Sequence, residues 1–178
     1  MLKKLFPYEY VESVFTIDYK KLYEKGYRGI IFDIDNTLVP HGEDSTSEID
    51  KLFIKIQTIG FKTFLLSDNG VKRIEKFLKN ISNTPYIDNA NKPNPENFLK
   101  AVQIMNIDKQ KVIYIGDQIF KDTLGANRAK ITNILVKYIG YYKKQKIGIK
   151  RHLEKIILKI YQKNKKMNNR LGGIEIKA

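Results

Sequence analysis

Residues 30–40 read IIFDIDNTLVP, a stretch in which an apolar run passes directly into acidic residues. Its apolar run, Ile30-Ile31-Phe32, ends in two carboxylates, Asp33 and Asp35. Carboxylates are rarely buried unless they are paired or bind a metal ion, so acids directly after a buried strand indicate a site. The stretch therefore predicts a strand that carries functional groups where it ends.

Short apolar runs alternate with amphipathic segments along the rest of the chain. Strands are predicted at 28–34, 61–66, 84–88, 111–115 and 132–136, and helices at 46–58, 71–80, 95–106 and 121–130. This alternation predicts an α/β domain, doubly wound around a mainly parallel sheet. In such a sheet ligands bind outside the carboxyl ends of the strands.

Composition limits the possible classes of protein. The 178 residues, 42% hydrophobic and 29% charged, favour one folded domain. We expect a cytoplasmic protein, because no apolar stretch suits a signal peptide or a membrane span. Cysteine is absent and there are two histidines, which excludes disulfides and argues against a zinc site. Any metal should be a hard ion held by oxygen.

The net charge of +14 suggests an anionic partner such as nucleic acid, acidic lipid or a phosphorylated substrate. A chain rich in Lys, Ile, Asn and Tyr is also what AT-rich codons encode, so the charge has a second interpretation. The excess is largely C-terminal, because residues 143–166 contain ten Lys or Arg residues and one acid, Glu154.

A basic amphipathic helix is predicted over 148–163. Its apolar residues recur at helical spacing among lysines: Ile149, Leu153, Ile156, Ile157 and Ile160. Two interpretations stay open, a helix docked on the domain, which we favour, and a helix lying on a membrane surface. We expect the residues after Met167 to be frayed.

Polar residues follow four of the predicted strands. They are Asp33 and Asp35; SDNG, residues 67–70; NKPNPE, which contains Lys92; and GDQIFKD, which contains Asp117 and Asp122. Each group alone could be a turn or a cap, but all four should converge on one rim of the sheet. Acids in one cleft repel each other unless a cation joins them, and these oxygen ligands predict Mg²⁺.

Such a set predicts phosphoryl transfer. A magnesium ion, a lysine and a serine hydroxyl are the groups that hold and neutralise a transferring phosphoryl group. One carboxylate can attack phosphorus, while a neighbouring acid protonates the leaving oxygen and later activates water. The predicted reaction is hydrolysis of a phosphomonoester through an aspartyl phosphate.

The motifs DIDNTL, Ser67, Lys92 and GDQIFKD, in that order, resemble those of haloacid dehalogenase (HAD) superfamily phosphatases. The resemblance is closest to the YqeG-type members of subfamily IIIA, and it runs from about Pro7 to Lys137. It implies a Rossmann-like fold. Asp68 departs from the pattern, because Asn is expected after the motif serine.

The resemblance also implies residue roles. Asp33 would be the nucleophile and a Mg²⁺ ligand, and Asp35 the general acid and base with its carbonyl oxygen on the metal. The remaining implied roles are loop support for Thr37, phosphoryl binding for Ser67 and Asn69, charge neutralisation for Lys92, metal binding for Asp117, and direct or indirect metal contact for Asp122.

The gaps between Thr37, Ser67 and Lys92 are shorter than the ~50 residues of a compact domain, so we expect an open site without a cap. We assign residues 1–140 to a HAD-like catalytic domain. Residues 141–178 would form the basic helix and tail, either part of that domain or peripheral to it.

The YqeG-type group is similar to fungal mitochondrial phosphatases that act on phosphatidylglycerophosphate. The leading hypothesis is therefore the conversion of this lipid to phosphatidylglycerol, by a protein peripheral to the inner face of the membrane. A phosphatase for nucleic-acid ends or a soluble phosphometabolite is the alternative. A receiver-like signalling domain fits less well, because its motif order differs, and a non-catalytic scaffold using the basic tail fits least.

Overall fold

A computed structural model describes residues 2–142, 148–164 and 166–176 of the chain. Six strands form one sheet in the order β1-β6-β5-β2-β3-β4, and every pair is parallel. The strands are β1 (Glu9–Val11), β2 (Gly29–Phe32), β3 (Lys62–Leu66), β4 (Tyr86–Ile87), β5 (Val112–Gly116) and β6 (Thr132–Val136). The predicted doubly wound α/β fold is confirmed.

The helices are α1 (Tyr19–Glu24), α2 (Ser47–Ile59), α3 (Val71–Phe77), α4 (Pro95–Met105), α5 (Leu124–Ala129) and α6 (Ile149–Lys163). Local signals explain where they begin and end. The Thr46 side chain caps the first turn of α2, and Gly60 ends that helix with φ 114°, a value that favours glycine. Asn94 caps α4, whose first residue is proline.

Two elements lie outside the predicted set, β1 and α1. Strand β1 has three residues at the edge of the sheet, and α1 has six, so neither is long enough to show a clear periodicity. A π-helical turn, Ile119–Thr123, also precedes α5.

Side chains of β2 point alternately to the two layers of the core. Ile30 and Phe32 belong to one apolar cluster, where Phe32 lies 5.3 Å from Phe53 of α2 between ring centroids. Ile31 belongs to the cluster on the other side of the sheet, beneath α4 and α5. Because β2 is fully buried and central, the acids that follow it have a rigid support.

The prediction that the last residues are frayed is wrong. Leu171 and Ile174 are buried in the core, and the backbone from 170 to 176 bonds back to the N-terminal segment. Asp18 N donates to Ile174 O at 2.7 Å, and Ile176 N donates to Thr16 O at 2.7 Å. Two buried apolar residues, separated by a Gly-Gly pair, and these backbone hydrogen bonds together anchor the tail.

Helix α6 is docked on the domain, but not through its apolar stripe. Its buried residues are Glu154 and Tyr161, and the Tyr161 ring lies 5.8 Å from Phe6. The outward-facing residues are Ile149, Leu153, Ile156 and Ile160, with 82%, 47%, 56% and 45% of their surface exposed. The predicted helix is present and is docked on the domain, while these four of its five predicted apolar residues face outward.

Four lysines of the predicted basic segment, Lys143, Lys144, Lys146 and Lys165, lie outside the described residues. Within the described ranges, each helix is too short or too polar to cross a bilayer.

Candidate active site

The candidate site lies where the direction of strand order reverses, on either side of β2. Strand β5 is its neighbour on one side and β3 on the other. The loops that leave these strands carry Asp33, Ser67 and Asp117, while Lys92 follows β4. Ligands of open α/β sheets bind at such switch points, and the polar groups that follow the strands converge on this rim, as the sequence predicts.

Three buried carboxylates meet there. One oxygen from each of Asp33, Asp117 and Asp122 lies within 4.8 Å of the other two. The Thr37 hydroxyl lies 3.2 Å from Asp33 Oδ2 and 3.3 Å from Asp117 Oδ1, so it stands between the first two acids. All of these side chains are buried.

Lys92 supplies a positive charge to this cluster. Its Nζ donates to Asp33 Oδ1 at 2.6 Å and to Asp122 Oδ1 at 2.8 Å, and it lies 3.1 Å from the Tyr114 hydroxyl. Burial lowers the pKa of Lys92, but Asp122 and Asp33 outweigh this effect and hold that pKa well above its usual range. The two carboxylates thus favour the charged form of Lys92.

The positive charges of the described side chains do not fully compensate the carboxylates of Asp33 and Asp117. Burial, together with Asp122, raises the pKa of Asp33 to about 6, although Lys92 opposes the shift. Burial raises the pKa of Asp117 to about 8, although Arg151 opposes it. Carboxylates of this kind favour a bound cation, which would stabilise their charged forms.

The donors fit a hard divalent ion. Carboxylate oxygens are the ligands that Mg²⁺ takes in proteins, and Asp33 and Asp117 can offer them here. Asp122 is less available, because its two oxygens already accept four hydrogen bonds, from Lys92, the Tyr114 hydroxyl and the backbone N–H groups of Asp117 and Gln118. Four accepted hydrogen bonds occupy all the lone pairs that one carboxylate offers, so little of Asp122 is left for a metal ion.

Asp35 belongs to a second group of contacts. Its carboxylate accepts from Asn69 Nδ2 at 2.7 Å, Arg73 Nη2 at 2.8 Å and Gly42 N at 3.1 Å. Burial opposes ionisation, but these hydrogen bonds outweigh it and hold the pKa of Asp35 below its ordinary value. Asn69 also donates to Ser67 Oγ at 3.0 Å, so the predicted phosphoryl-binding pair is joined to Asp35.

The departure at Asp68 has a structural explanation. Asp68 Oδ1 accepts from the backbone N–H of Lys92 at 3.0 Å, and Oδ2 pairs with Lys121 Nζ at 2.8 Å. The carboxylate thus ties the loop after β3 to the segment that carries Lys92.

Sequence reasoning missed three residues at the site: Tyr114, Arg73 and Arg151. Arg151 of α6 donates to the carboxylate of Asp117 and, at 2.9 Å, to its backbone oxygen. Among the described residues, Arg73 has two buried nitrogens, Nε and Nη1, without a hydrogen-bond partner. Both arginines lie on helices rich in basic residues, where the sequence does not distinguish them from solvent-exposed lysines.

Residues 38–66 and 68–91 are fully described and contain no separate domain over the site; they contribute loops, α2, β3, α3 and β4. Arg151, which lies on the C-terminal helix α6, nevertheless covers the carboxylate of Asp117. The site is therefore less open than the short gaps alone predict.

Comparison with known proteins agrees with this geometry. A family model described as haloacid dehalogenase-like hydrolase matches residues 43–130. The chain is 38% identical over 138 residues to "Probable phosphatase YqeG" of Bacillus subtilis (strain 168), covering 76% of this chain and 80% of that protein. The chain belongs to the haloacid dehalogenase-like hydrolase family. The prediction of a HAD-type phosphatase is confirmed.

A second relative matches a smaller part of the family fold. The glyceraldehyde 3-phosphate phosphatase of Pyrococcus abyssi (strain GE5 / Orsay) is 27% identical over 96 residues, which cover 49% of this chain and 40% of that protein.

Solved structures share the architecture at low identity. An uncharacterized protein from Listeria monocytogenes serotype 4b is 18% identical with a TM-score of 0.54, covering 76% of this chain and 99% of that chain. The cobalt-bound deoxy-D-mannose-octulosonate 8-phosphate phosphatase of Haemophilus influenzae is 15% identical with a TM-score of 0.51, covering 78% and 90% respectively. These likenesses concern the fold.

Proposed function

We propose that this HAD phosphatase is a Mg²⁺-dependent phosphomonoester hydrolase of the YqeG-type, subfamily IIIA group, with Asp33 as its nucleophile. The observation that carries the proposal is the buried contact between Asp33 and Lys92, beside Asp117. Asp33 and Asp117 would hold the metal with the Asp35 carbonyl oxygen, and Asp122 would fix Lys92 and the loop after β5. When bound, Mg²⁺ would neutralise the acids and the phosphoryl oxygens.

In the first step a carboxylate oxygen of Asp33 attacks phosphorus and the ester P–O bond breaks. Lys92, Ser67 and Asn69 hold the phosphoryl oxygens, and Asp35 gives its proton to the leaving alkoxide. In the second step Asp35 takes a proton from water, which attacks phosphorus and breaks the bond to Asp33. Inorganic phosphate and free Asp33 result.

The contacts of Asp35 fit the second step better than the first. Asn69 and Arg73 stabilise its carboxylate form, which is the form that activates water. Protonation of the leaving group requires the acid form, so substrate binding must draw these donors away from Asp35.

We further propose that the substrate is phosphatidylglycerophosphate and that the protein works at the inner face of the membrane. Support comes from α6, in the segment 141–178 that the matched family model does not include. Its exposed isoleucine and leucine stripe is flanked by Lys159 and Lys163, a distribution typical of helices that lie in a lipid interface. Anionic lipid would attract each nearby lysine by about 1 kcal/mol.

The test is Mg²⁺-dependent phosphate release from phosphatidylglycerophosphate in mixed vesicles, phosphorylated nucleic-acid ends and sugar phosphates. We expect the lipid to be preferred and Asp33→Asn to be inactive, with the exposed Asp44→Asn as matched control. Full activity of Asp33→Asn would overturn the mechanism. Equal or better turnover of the soluble substrates would overturn the lipid assignment and leave the mechanism standing.

A further inference from the structure

A groove of about 470 Å³ runs between α6 and the end of β6 and reaches the acidic cluster at Asp117. Its apolar walls are formed by Ile119, Leu135, Val136 and Leu158. The groove is separate from the contacts that hold Asp33 and Lys92. It lies on the side of α6 opposite the exposed stripe.

The polar residues of the groove are arranged at one end and along the rim. Arg151 lines the groove at the end that reaches Asp117. The exposed Lys159 lines it further toward the C-terminal end of α6. Glu154 is an acid among the groove residues, and its carboxylate is engaged, because it pairs with Arg151 at 2.9 Å and accepts from Phe120 N at 3.1 Å. An apolar channel with a cationic mouth complements an amphiphilic anion.

We infer that this groove binds the apolar part of the substrate's leaving group, with the phosphoryl group at Asp33 and the chain between α6 and β6. The inference rests on the proposed phosphatase function, and it names the substrate class as phosphate monoesters of amphiphilic alcohols. The position of Asp117 carries it, because this residue belongs both to the acidic cluster and to the groove wall. Arg151, which contacts that residue, then lies between reacting phosphate and bound chain.

The test measures kcat/KM for methyl, butyl and hexyl monophosphate, all monomeric in water and without vesicles. We expect kcat/KM to rise about three- to fourfold per added methylene, the value for moving a CH₂ group out of water. Leu158→Trp should fill the groove and flatten this dependence. Ile104→Trp, on the exposed side of α4, is the matched control.

Calorimetric titration with hexylphosphonate and methylphosphonate separates the two proposals. If the wild-type protein hydrolyses none of the esters but binds hexylphosphonate more tightly, and Leu158→Trp abolishes the difference, the groove assignment stands and the reaction assignment fails. If methyl and hexyl phosphate are hydrolysed equally well by the wild type, the groove assignment is overturned. An unchanged chain-length dependence in Leu158→Trp overturns it as well.

Discussion

The exposed stripe of α6 gives the sharpest test of membrane binding. Replacing Leu153 and Ile156 by serine removes two apolar side chains that are 47% and 56% exposed and make up the centre of the stripe. Since each projects into solvent, the substitutions should change the fold little. Circular dichroism and thermal unfolding should match the wild type.

The magnitude follows from the exposed surface. Burying a whole leucine or isoleucine side chain gains roughly 1.5–3 kcal/mol, and about half of each chain is available here, so the pair contributes about 2 kcal/mol. That difference corresponds to about a 30-fold weaker partition onto vesicles. Ile104→Ser is the control, because Ile104 on α4 is 49% exposed but lies in no such stripe.

The assay is co-sedimentation with vesicles rich in phosphatidylglycerol, repeated with phosphatidylcholine alone and at raised salt. We expect binding to need the anionic lipid and to weaken with salt, because Lys159 and Lys163 flank the stripe. The reasoning is refuted if the double variant partitions as well as Ile104→Ser does. It is also refuted if the wild type binds neither vesicle.

Three further predictions concern the buried site and the tail. Lys92→Met leaves two carboxylates without their cation, so activity should fall at least about 100-fold and stability by about 3–5 kcal/mol in urea unfolding; near-normal activity would contradict this role. The raised pKa values of Asp33, about 6, and Asp117, about 8, mean that the folded metal-free protein holds protons that the unfolded chain releases near pH 4. Its Tm in calorimetry should therefore fall as pH rises from about 5 to 8.5 and recover when Mg²⁺ is added, whereas a rising Tm would contradict the shifts. Ile174→Ala should lower the free energy of unfolding, measured in urea, by about 2–5 kcal/mol, because Ile174 is 1% exposed. The same substitution at Ile176, which is 49% exposed, is the control. Equally small effects of both substitutions would indicate a loosely held tail.

Much of the fold and the centre of the site could be predicted because they depend on local patterns. Asp33 is the first residue after β2, and Asp117 is the first residue after β5. Because the two strands are parallel, their direction alone places both acids at one edge of the sheet. Asp35 shows the limit of this reasoning. The strand ends at Phe32 and Asn36 adopts φ 64°, so strict alternation no longer applies, and Asp35 contacts a different set of donors from Asp33.

Residues that reach the site from distant segments could not be predicted in this way. Arg151 is one of many cations in the C-terminal segment, and only the docking of α6 brings it to Asp117. The tail is similar, because Leu171 and Ile174 form too short a pattern to indicate burial. Such contacts depend on tertiary packing, for which a single sequence carries little local signal.

The orientation of α6 argues that its amphipathic sequence serves a partner rather than the core. A helix that merely docks buries its apolar stripe and exposes its charges. Here Glu154 is buried together with its Arg151 contact, and Ile149 at the first turn is 82% exposed. A row of exposed large apolar side chains does not stabilise the fold itself, so we expect a second surface to cover it, as the proposed membrane binding requires. The same helix forms one wall of the groove that ends at Asp117, on the side that faces away from the stripe.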